Sequence, residues 1–236
     1  MRVLALDCTA KSVSAAIAED GKLICESFLN INLTHSQTLL VLCEQLLSNT
    51  KLKINEIDAF GITAGPGSFT GVRIGISAIK GMAFAQNTPV FPFSTTEAMA
   101  LNFKNMPILN GIICGVMDAR CNQFYNGIFE IKNGEIYRLI EDRIIMADSL
   151  LTELEEKYNG QDIILVGDGA KLFFNECQNH PNITLSPEHL LVQRAAGIAI
   201  KASLSPIQTA INPNVLQPIY LRKSQAERER ETKSEE

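Results

Sequence analysis

Two apolar runs in this chain stop at an aspartate and then turn back, and their repetition limits the fold more than any other feature. Residues 2 to 7 read as a buried strand ending in Asp7. "SVSAAIA" is a second strand, and Asp20-Gly21 stands where a two-residue hairpin turn belongs, before a third strand near 22 to 30. From residue 111 the order recurs. "GIICGVMD" ends in Asp118, "QFYNGIFEI" follows, and Asn133-Gly134 precedes the strand "EIYRLIE". Aspartate and turn are 13 residues apart in one case and 15 in the other. After each hairpin come a helix, a strand, a glycine turn and a helix. In the first half these are a helix capped by Thr34 or Ser36 and running to about Thr50, the strand in "INEIDAFGITA", "GPGSFTG", and a helix over about 69 to 86. "DSLLTELEEKY", "DIILV" and "GDGAKLFFNEC" supply them in the second. In the first half "TPVFPFSTTEAMALNF" adds a strand end, a Ser/Thr cap with Glu97 behind it, and a short helix. Five elements matched in order predict an α/β protein with two similar domains. We place them at 1–105 and 106–221, the last segment packing back on the first domain, followed by a charged tail at 222–236.

Function classes narrow with composition. The net charge is −5 over 236 residues, so a direct grip on a phosphate backbone, which takes clustered Lys and Arg, is not expected. Cys8, Cys25, Cys43, Cys114, Cys121 and Cys177 make no C-x-x-C pair, and their neighbours are mostly apolar. Reduced thiols in a cytoplasmic protein follow. No run approaches the roughly 20 apolar residues of a membrane span, and Asp7 cuts the first apolar run too early for a signal peptide. The tail "RKSQAERERETKSEE" has too few apolar residues to order itself and is expected to be solvated.

Paired domains that each open with a hairpin whose first strand ends in Asp resemble the actin-like ATPases and sugar kinases. In that superfamily the two hairpin turns hold phosphate and metal across a cleft, and the adenosine rests on a Gly-rich turn of the second domain. The resemblance marks Asp7, Thr9, Asp118 and the turn Gly167-Asp168-Gly169 as a candidate nucleotide cleft. Active members place glycine in the first hairpin turn, where backbone N–H groups must reach phosphate; here that turn is Cys8-Thr9-Ala10-Lys11. Gly65 and Gly67 of "GPGSFTG" stand between a strand and a helix start. They leave two readings open: an anion site at free N–H groups, or a tight turn with Ser68 or Thr70 capping the helix. The stretch is not a P-loop, which needs Gly-Lys-Ser/Thr entering the helix.

The helix after that turn carries Gly71, Gly75, Ala78, Met82 and Ala85 at three- and four-residue steps, a stripe almost free of side chains. Val72, Ile76, Ile79 and Ala83 form a second apolar stripe beside it. Interior helix glycines cost about 1 kcal/mol each against alanine, so the bare stripe is expected to receive something at close range. The earlier helix, with Leu39, Leu40, Val41, Leu42, Cys43, Leu46 and Leu47, is apolar around most of its circumference, more than one covered face requires. Another subunit is the expected occupant, meeting His35, Leu39, Leu42, Cys43, Leu46, Gly71, Val72, Gly75, Ala78, Ile79 and Met82. On this reading a bulky charge at Gly75 or Ala78 blocks association and leaves the monomer folded.

"LALDCTAKSVSAAI", "THSQTLL", "AGPGSFTGVRIGISAIKGMAFA", "STTEAMA", "MDARCNQFY", "VGDGA" and a closing "PIYLR" follow one another as in the TsaB family, which this chain resembles from about residue 1 to 222. These are bacterial proteins needed to make threonylcarbamoyladenosine in tRNA. The resemblance implies an accessory subunit without catalysis of its own. Its partner would be TsaD, the paralogue that transfers threonylcarbamoyl to the adenosine beside the anticodon. The ATPase TsaE joins the assembly, self-pairing occurs when the partner is absent, and tRNA is reached only indirectly. No cofactor is required by the chain itself, with ATP or ADP expected at most in the assembled complex. The catalytic paralogue holds metal through His-x-x-x-His on its first helix; here His35 is followed at the fourth position by Leu39, so no metal site is expected. The rival readings are a self-sufficient ATPase or small-molecule kinase using Asp7 and Asp118, and a zinc peptidase. The first predicts metal-dependent turnover by the purified chain, the second stoichiometric bound metal.

Overall fold

The computed structural model describes residues 1–31, 33–177 and 180–222; the charged tail from residue 223 on lies outside the described residues. Strands β1 (Arg2–Asp7), β2 (Val13–Glu19), β3 (Lys22–Leu29), β4 (Ala59–Thr63) and β5 (Val90–Phe93) form one mixed sheet in the order β3-β2-β1-β4-β5. β6 (Gly111–Asp118), β7 (Gln123–Lys132), β8 (Glu135–Met146), β9 (Ile163–Val166) and β10 (Ile183–Leu185) form another in the order β10-β9-β6-β7-β8. In each, three antiparallel strands are extended by two parallel ones. The sheets are therefore the same sheet built twice. β1 and β6, flanked on both edges and covered on both faces, read as unbroken apolar runs because neither face meets water.

Both hairpins turn as their dipeptides require. Asp20 and Gly21 have φ of 49° and 83°, and Asn133 and Gly134 have 53° and 79°. Positive φ at both central residues is the turn whose twist matches paired strands. β8 runs past the expected "EIYRLIE" to Met146. Among the described residues six α-helices complete the fold: α1 (His35–Thr50), α2 (Phe69–Ala83), α3 (Thr95–Leu101), α4 (Ala147–Lys157), α5 (Ala170–Glu176) and α6 (Ala196–Leu204). α2 stops at Ala83, three residues earlier than expected. Ser68 Oγ accepts from the Gly71 N–H and Ser94 Oγ from the Glu97 N–H, capping α2 and α3. Thr34 occupies the cap position of α1 without a side-chain bond.

α1 and α2 cover one face of the first sheet, closing a core around Leu4, Leu6, Leu39, Leu46, Phe60, Ile62 and Ile79. α4 and α5 do the same for the second sheet around Phe124, Leu150, Leu165 and Phe173. The other two faces are exchanged. α3, from the first half, packs on β6, β7 and β8, while α6, from the second, lies across β1, β2, β3 and β4. α6 has no counterpart among the helices read from the sequence. Its Ala195, Ile198, Ala199 and Ala202 close on Val3, Ala5, Ala16, Ala18 and Phe93. Small residues on both sides bring helix and sheet close.

Polar contacts fasten this exchange. Arg194 donates to both oxygens of the buried Glu26 carboxylate, with Nη2–Oε2 at 2.5 Å. Lys201 reaches Glu97 at 2.5 Å, and Arg138 of β8 donates to Ser94 Oγ at 2.8 Å. Thr96 of α3 hydrogen-bonds Asp142 of β8.

Candidate docking groove and interdomain cleft

The glycine turn between β4 and α2 is filled by the chain's own backbone. Gly65 (φ 116°) and Gly67 (φ 157°) both lie where side chains are disfavoured. A Cβ at Gly65 would collide with the carbonyl of Ile219, and one at Gly67 with the carbonyl of Thr9. The Ser68 N–H donates to Thr9 O at 2.6 Å and the Ile219 N–H to Ala64 O at 2.7 Å. The first hairpin turn presses on one side and the C-terminal segment on the other. Of the two sequence readings, the tight turn with Ser68 capping the helix is the one the geometry realises, and it brings these backbones close together.

The bare stripe of α2 continues that contact, which corrects the expectation that it faces another subunit. A Cβ at Gly71 would fall well inside 3.0 Å of the Cys8 carbonyl, and one at Gly75 would lie 2.8 Å from Cys8 Sγ and 3.1 Å from Ile62 Cδ1. The Cys8 thiol donates to Gly71 O at 3.1 Å. Those glycines admit β1 and its turn. A charge at Gly75 would break the monomer first, contrary to the expected clean loss of association. Leu39, Leu42, Cys43, Leu46, Val72 and Ile79 are likewise buried in the first core. Of the residues nominated for an interface, only His35, Ala78 and Met82 retain exposure, and each is half-buried.

What remains open is a groove between the outer flanks of α1 and α2, which reaches Ala78 and Met82 of the bare stripe but not its glycines. The helices run side by side with their N-termini together: His35 Nε2 lies 2.6 Å from Ala10 O and its ring abuts Gly71. One depression of about 570 Å³ is lined by His35, Leu40, Phe69, Arg73, Ile74 and Ala78 among others. A second of about 390 Å³ continues it past Leu40, Glu44, Leu47, Ile54 and Met82. Leu40 lines both and is 53% exposed, with Val41 beside it at 48%. Two adjacent aliphatic side chains half in water on one helix are an open apolar face, not a scattered exposure.

The second concavity, about 550 Å³, lies between the halves. Thr9, Gly67, Asp118 and Asp168 line it as the sequence proposed, together with Lys11, Arg120, Tyr125, Tyr220 and Arg222. Asp7, Gly65, Gly167 and Gly169 stand behind its wall. Asp7 is wholly buried; its Oδ1 accepts from the Thr9 N–H at 3.1 Å and the Thr9 hydroxyl at 3.2 Å. Burial pushes its carboxyl above the usual range, and bonds from Thr63 and Thr9 work against that rise. Asp118 is exposed and accepts from the Arg120 N–H at 2.7 Å. Asp168 next to it is driven up to about 6 by burial and by the Asp118 charge. The two halves thus present unlike aspartates: one sealed in its turn, the other facing solvent. Asp118 and Asp168 line the cleft together with the cationic Lys11, Arg120 and Arg222. Among the described residues, no three His, Cys, Asp or Glu side chains are grouped to hold a metal ion.

A family model described as TsaD, tRNA N6-adenosine threonylcarbamoyltransferase, matches residues 30–230. The chain belongs to that family, on its TsaB branch. The Bacillus subtilis (strain 168) protein named tRNA threonylcarbamoyladenosine biosynthesis protein TsaB is 29% identical over 172 residues, 73% of each chain. The Escherichia coli (strain K12) protein of the same name is 24% identical over 226 residues, 96% of each. The solved structure of YeaZ from Pseudomonas aeruginosa superposes with a TM-score of 0.79 at 23% identity, covering 93% of this chain and 99% of that one. The architecture, two mixed five-stranded sheets with flanking helices, is the fold of that YeaZ structure.

Within this TsaB-family chain, the sequence led us to expect the last segment on the first domain, but not the contacts by which it completes the site. Tyr220 stacks on Phe69 with ring centroids 4.5 Å apart. Arg73 lies 3.9 Å over the Phe69 ring and donates to the Tyr220 hydroxyl at 2.8 Å. Arg222 reaches across the cleft to Ala119 O at 2.5 Å. "PIYLR" was legible as a motif, but no local pattern links it to a helix some 150 residues earlier. No described helix is long and apolar enough to cross a membrane.

Proposed function

We propose that this TsaB-family chain is a non-catalytic subunit that docks a TsaD-type threonylcarbamoyltransferase in the groove between α1 and α2. The work of the assembly is then the threonylcarbamoyladenosine modification of tRNA in the cytoplasm. The observation that carries the reading is the apolar groove itself, centred on Leu40 and running between two helices held rigid by the core beneath. Lack of catalysis is supported by what the inherited positions do instead. Asp7 is spent within its own turn, His35 is engaged with Ala10 O, and Leu39, where a second metal ligand would stand, is buried. With the chain acidic overall, tRNA is held mainly by the partner, and a TsaE-type ATPase joins the complex rather than being replaced by this chain. In the absence of the partner the same groove closes on a second copy.

The test mixes the purified chain with the TsaD-type enzyme of the same genome, with and without the TsaE-type ATPase and nucleotide. Complex mass and threonylcarbamoyl transfer to tRNA are measured. The parent forms a complex and supports transfer, and the chain alone does neither transfer nor ATP hydrolysis. Leu40→Asp, which puts a charge on an exposed position and spares the core, is expected to weaken the complex about a hundredfold or more. An unchanged complex with Leu40→Asp rejects the groove.

A second reading rests on the cleft, where Asp118 and Asp168 share the lining with three cations and would seat ATP or ADP. Metal-dependent turnover by the purified chain that disappears in Asp118→Asn would favour a self-sufficient ATPase or kinase.

A further inference from the structure

The groove is apolar along its floor but carries one charge of each sign, at opposite ends. Arg73 lines the half nearest the helix N-termini and Glu44 the half nearest the C-termini. Both are exposed, and among the described residues neither has an ion-pair partner. His35 beside Gly71 sets the two helices level, so Arg73 and Glu44 are separated by about two turns, roughly 10 Å along the groove. Leu40, common to both halves, lies between them.

Such a face is complementary to itself in one orientation. A two-fold axis through the level of Leu40 turns the groove end for end, bringing the Arg73 end of one copy over the Glu44 end of the other, twice. A two-fold interface is isologous, so one favourable pair becomes two. A parallel approach would set Arg73 against Arg73 and Glu44 against Glu44, and like charges across a closing interface discriminate strongly. Arg73 is also prepared for the task. Its guanidinium is pinned on Phe69, and its Nε is engaged by Tyr220, leaving the outer nitrogens directed by a held side chain. A stacked arginine surrenders little further rotamer freedom when a carboxylate arrives.

We propose that Arg73 and Glu44 are the specificity-determining pair of this face, setting an antiparallel two-fold register when a second copy of the chain occupies the groove, and that Tyr220 acts as the positioning residue for Arg73. The proposal rests on the reading of the α1–α2 groove as the docking face and adds the register and the residues that choose it.

Sedimentation velocity of the full-length chain over a concentration series tests it. The parent is expected to self-associate, and Arg73→Glu and Glu44→Arg each to weaken association about tenfold or more. An equimolar mixture of the two variants should recover it to within about threefold, because each charge again meets its opposite. Tyr220→Phe, which keeps the stack and loses the hydroxyl, should weaken association roughly two- to fivefold and leave its salt dependence in place. A parent that stays monomeric, a single charge variant that associates like the parent, or a mixture that stays apart overturns the pair. A Tyr220→Phe chain that associates like the parent overturns the positioning role. Leu40→Asp separates the two levels. If it abolishes association while Arg73→Glu leaves it intact, the groove stands and the pair falls; if it changes nothing, both fall.

Discussion

Gly71→Ala decides between the two uses of the bare stripe on α2. If that stripe faced a partner, alanine would strengthen the isolated chain by up to about 1 kcal/mol through helix propensity and harm only association. The structure gives the opposite sign. The new methyl would fall well inside 3.0 Å of the Cys8 carbonyl, a backbone atom. Its turn is fixed by the Ser68 N–H on Thr9 O and by Asp7 on the Thr9 N–H. Overpacking against a backbone that cannot move aside costs about 3 kcal/mol. Less the propensity gain, Gly71→Ala should destabilise the isolated chain by about 2 kcal/mol, lowering Tm by roughly 4–8 °C for a chain of this size. Urea unfolding followed by circular dichroism, at a concentration where the chain is monomeric, reads this directly. Gly81→Ala is the internal control: it lies in the same helix with nothing within 4 Å of its Cβ position and should stabilise by about 0.5–1 kcal/mol. Gly71→Ala with stability equal to or above the parent would refute the inward-facing assignment.

Three further outcomes follow from the polar and thiol groups. The folded chain keeps the Asp168 proton up to about pH 6 while the unfolded chain releases it near 3.8, so this group lowers stability as pH rises through that window. Asp168→Asn should therefore gain up to about 3 kcal/mol at pH 7 and nothing below pH ~4, measured by urea titrations at the two pH values. Glu26→Ala strands Arg194 and the Ala196 N–H at the junction of the halves and should cost about 2–3 kcal/mol, seen as a lower urea midpoint with unchanged slope. Of the six thiols, the exposed Cys121 should be alkylated first in the native chain. Cys43 and Cys114, pushed up to about 12 by burial, should react only on unfolding, as mass spectrometry after timed quenching can show.

Local grammar carried most of the architecture. Asp20-Gly21 and Asn133-Gly134 announced their hairpins, Ser68 and Ser94 their helices, and the repeated order of elements the twin sheets. What stayed hidden needed knowledge of the far side of an element. The Gly71–Gly75 stripe was visible as a period, but α2 is apolar on more than one flank, and period alone does not say which flank the sheet takes. Asp7 and Asp118 occupy equivalent strand ends, yet Thr9 and Thr63 seal the first whereas the second faces solvent; that difference arises from packing between turns. Tyr220 meets Arg73 across almost 150 residues, a distance at which sequence pattern has no reach.

The exchange of α3 and α6 sets a timetable for synthesis. When the ribosome has finished the first sheet, the alanine-rich side formed by Ala5, Ala16 and Ala18 has no cover, because its lid is encoded roughly a hundred residues later. The portion made earliest is thus completed last, and a gene truncated ahead of Ala196 should yield a sticky intermediate rather than a half-size protein.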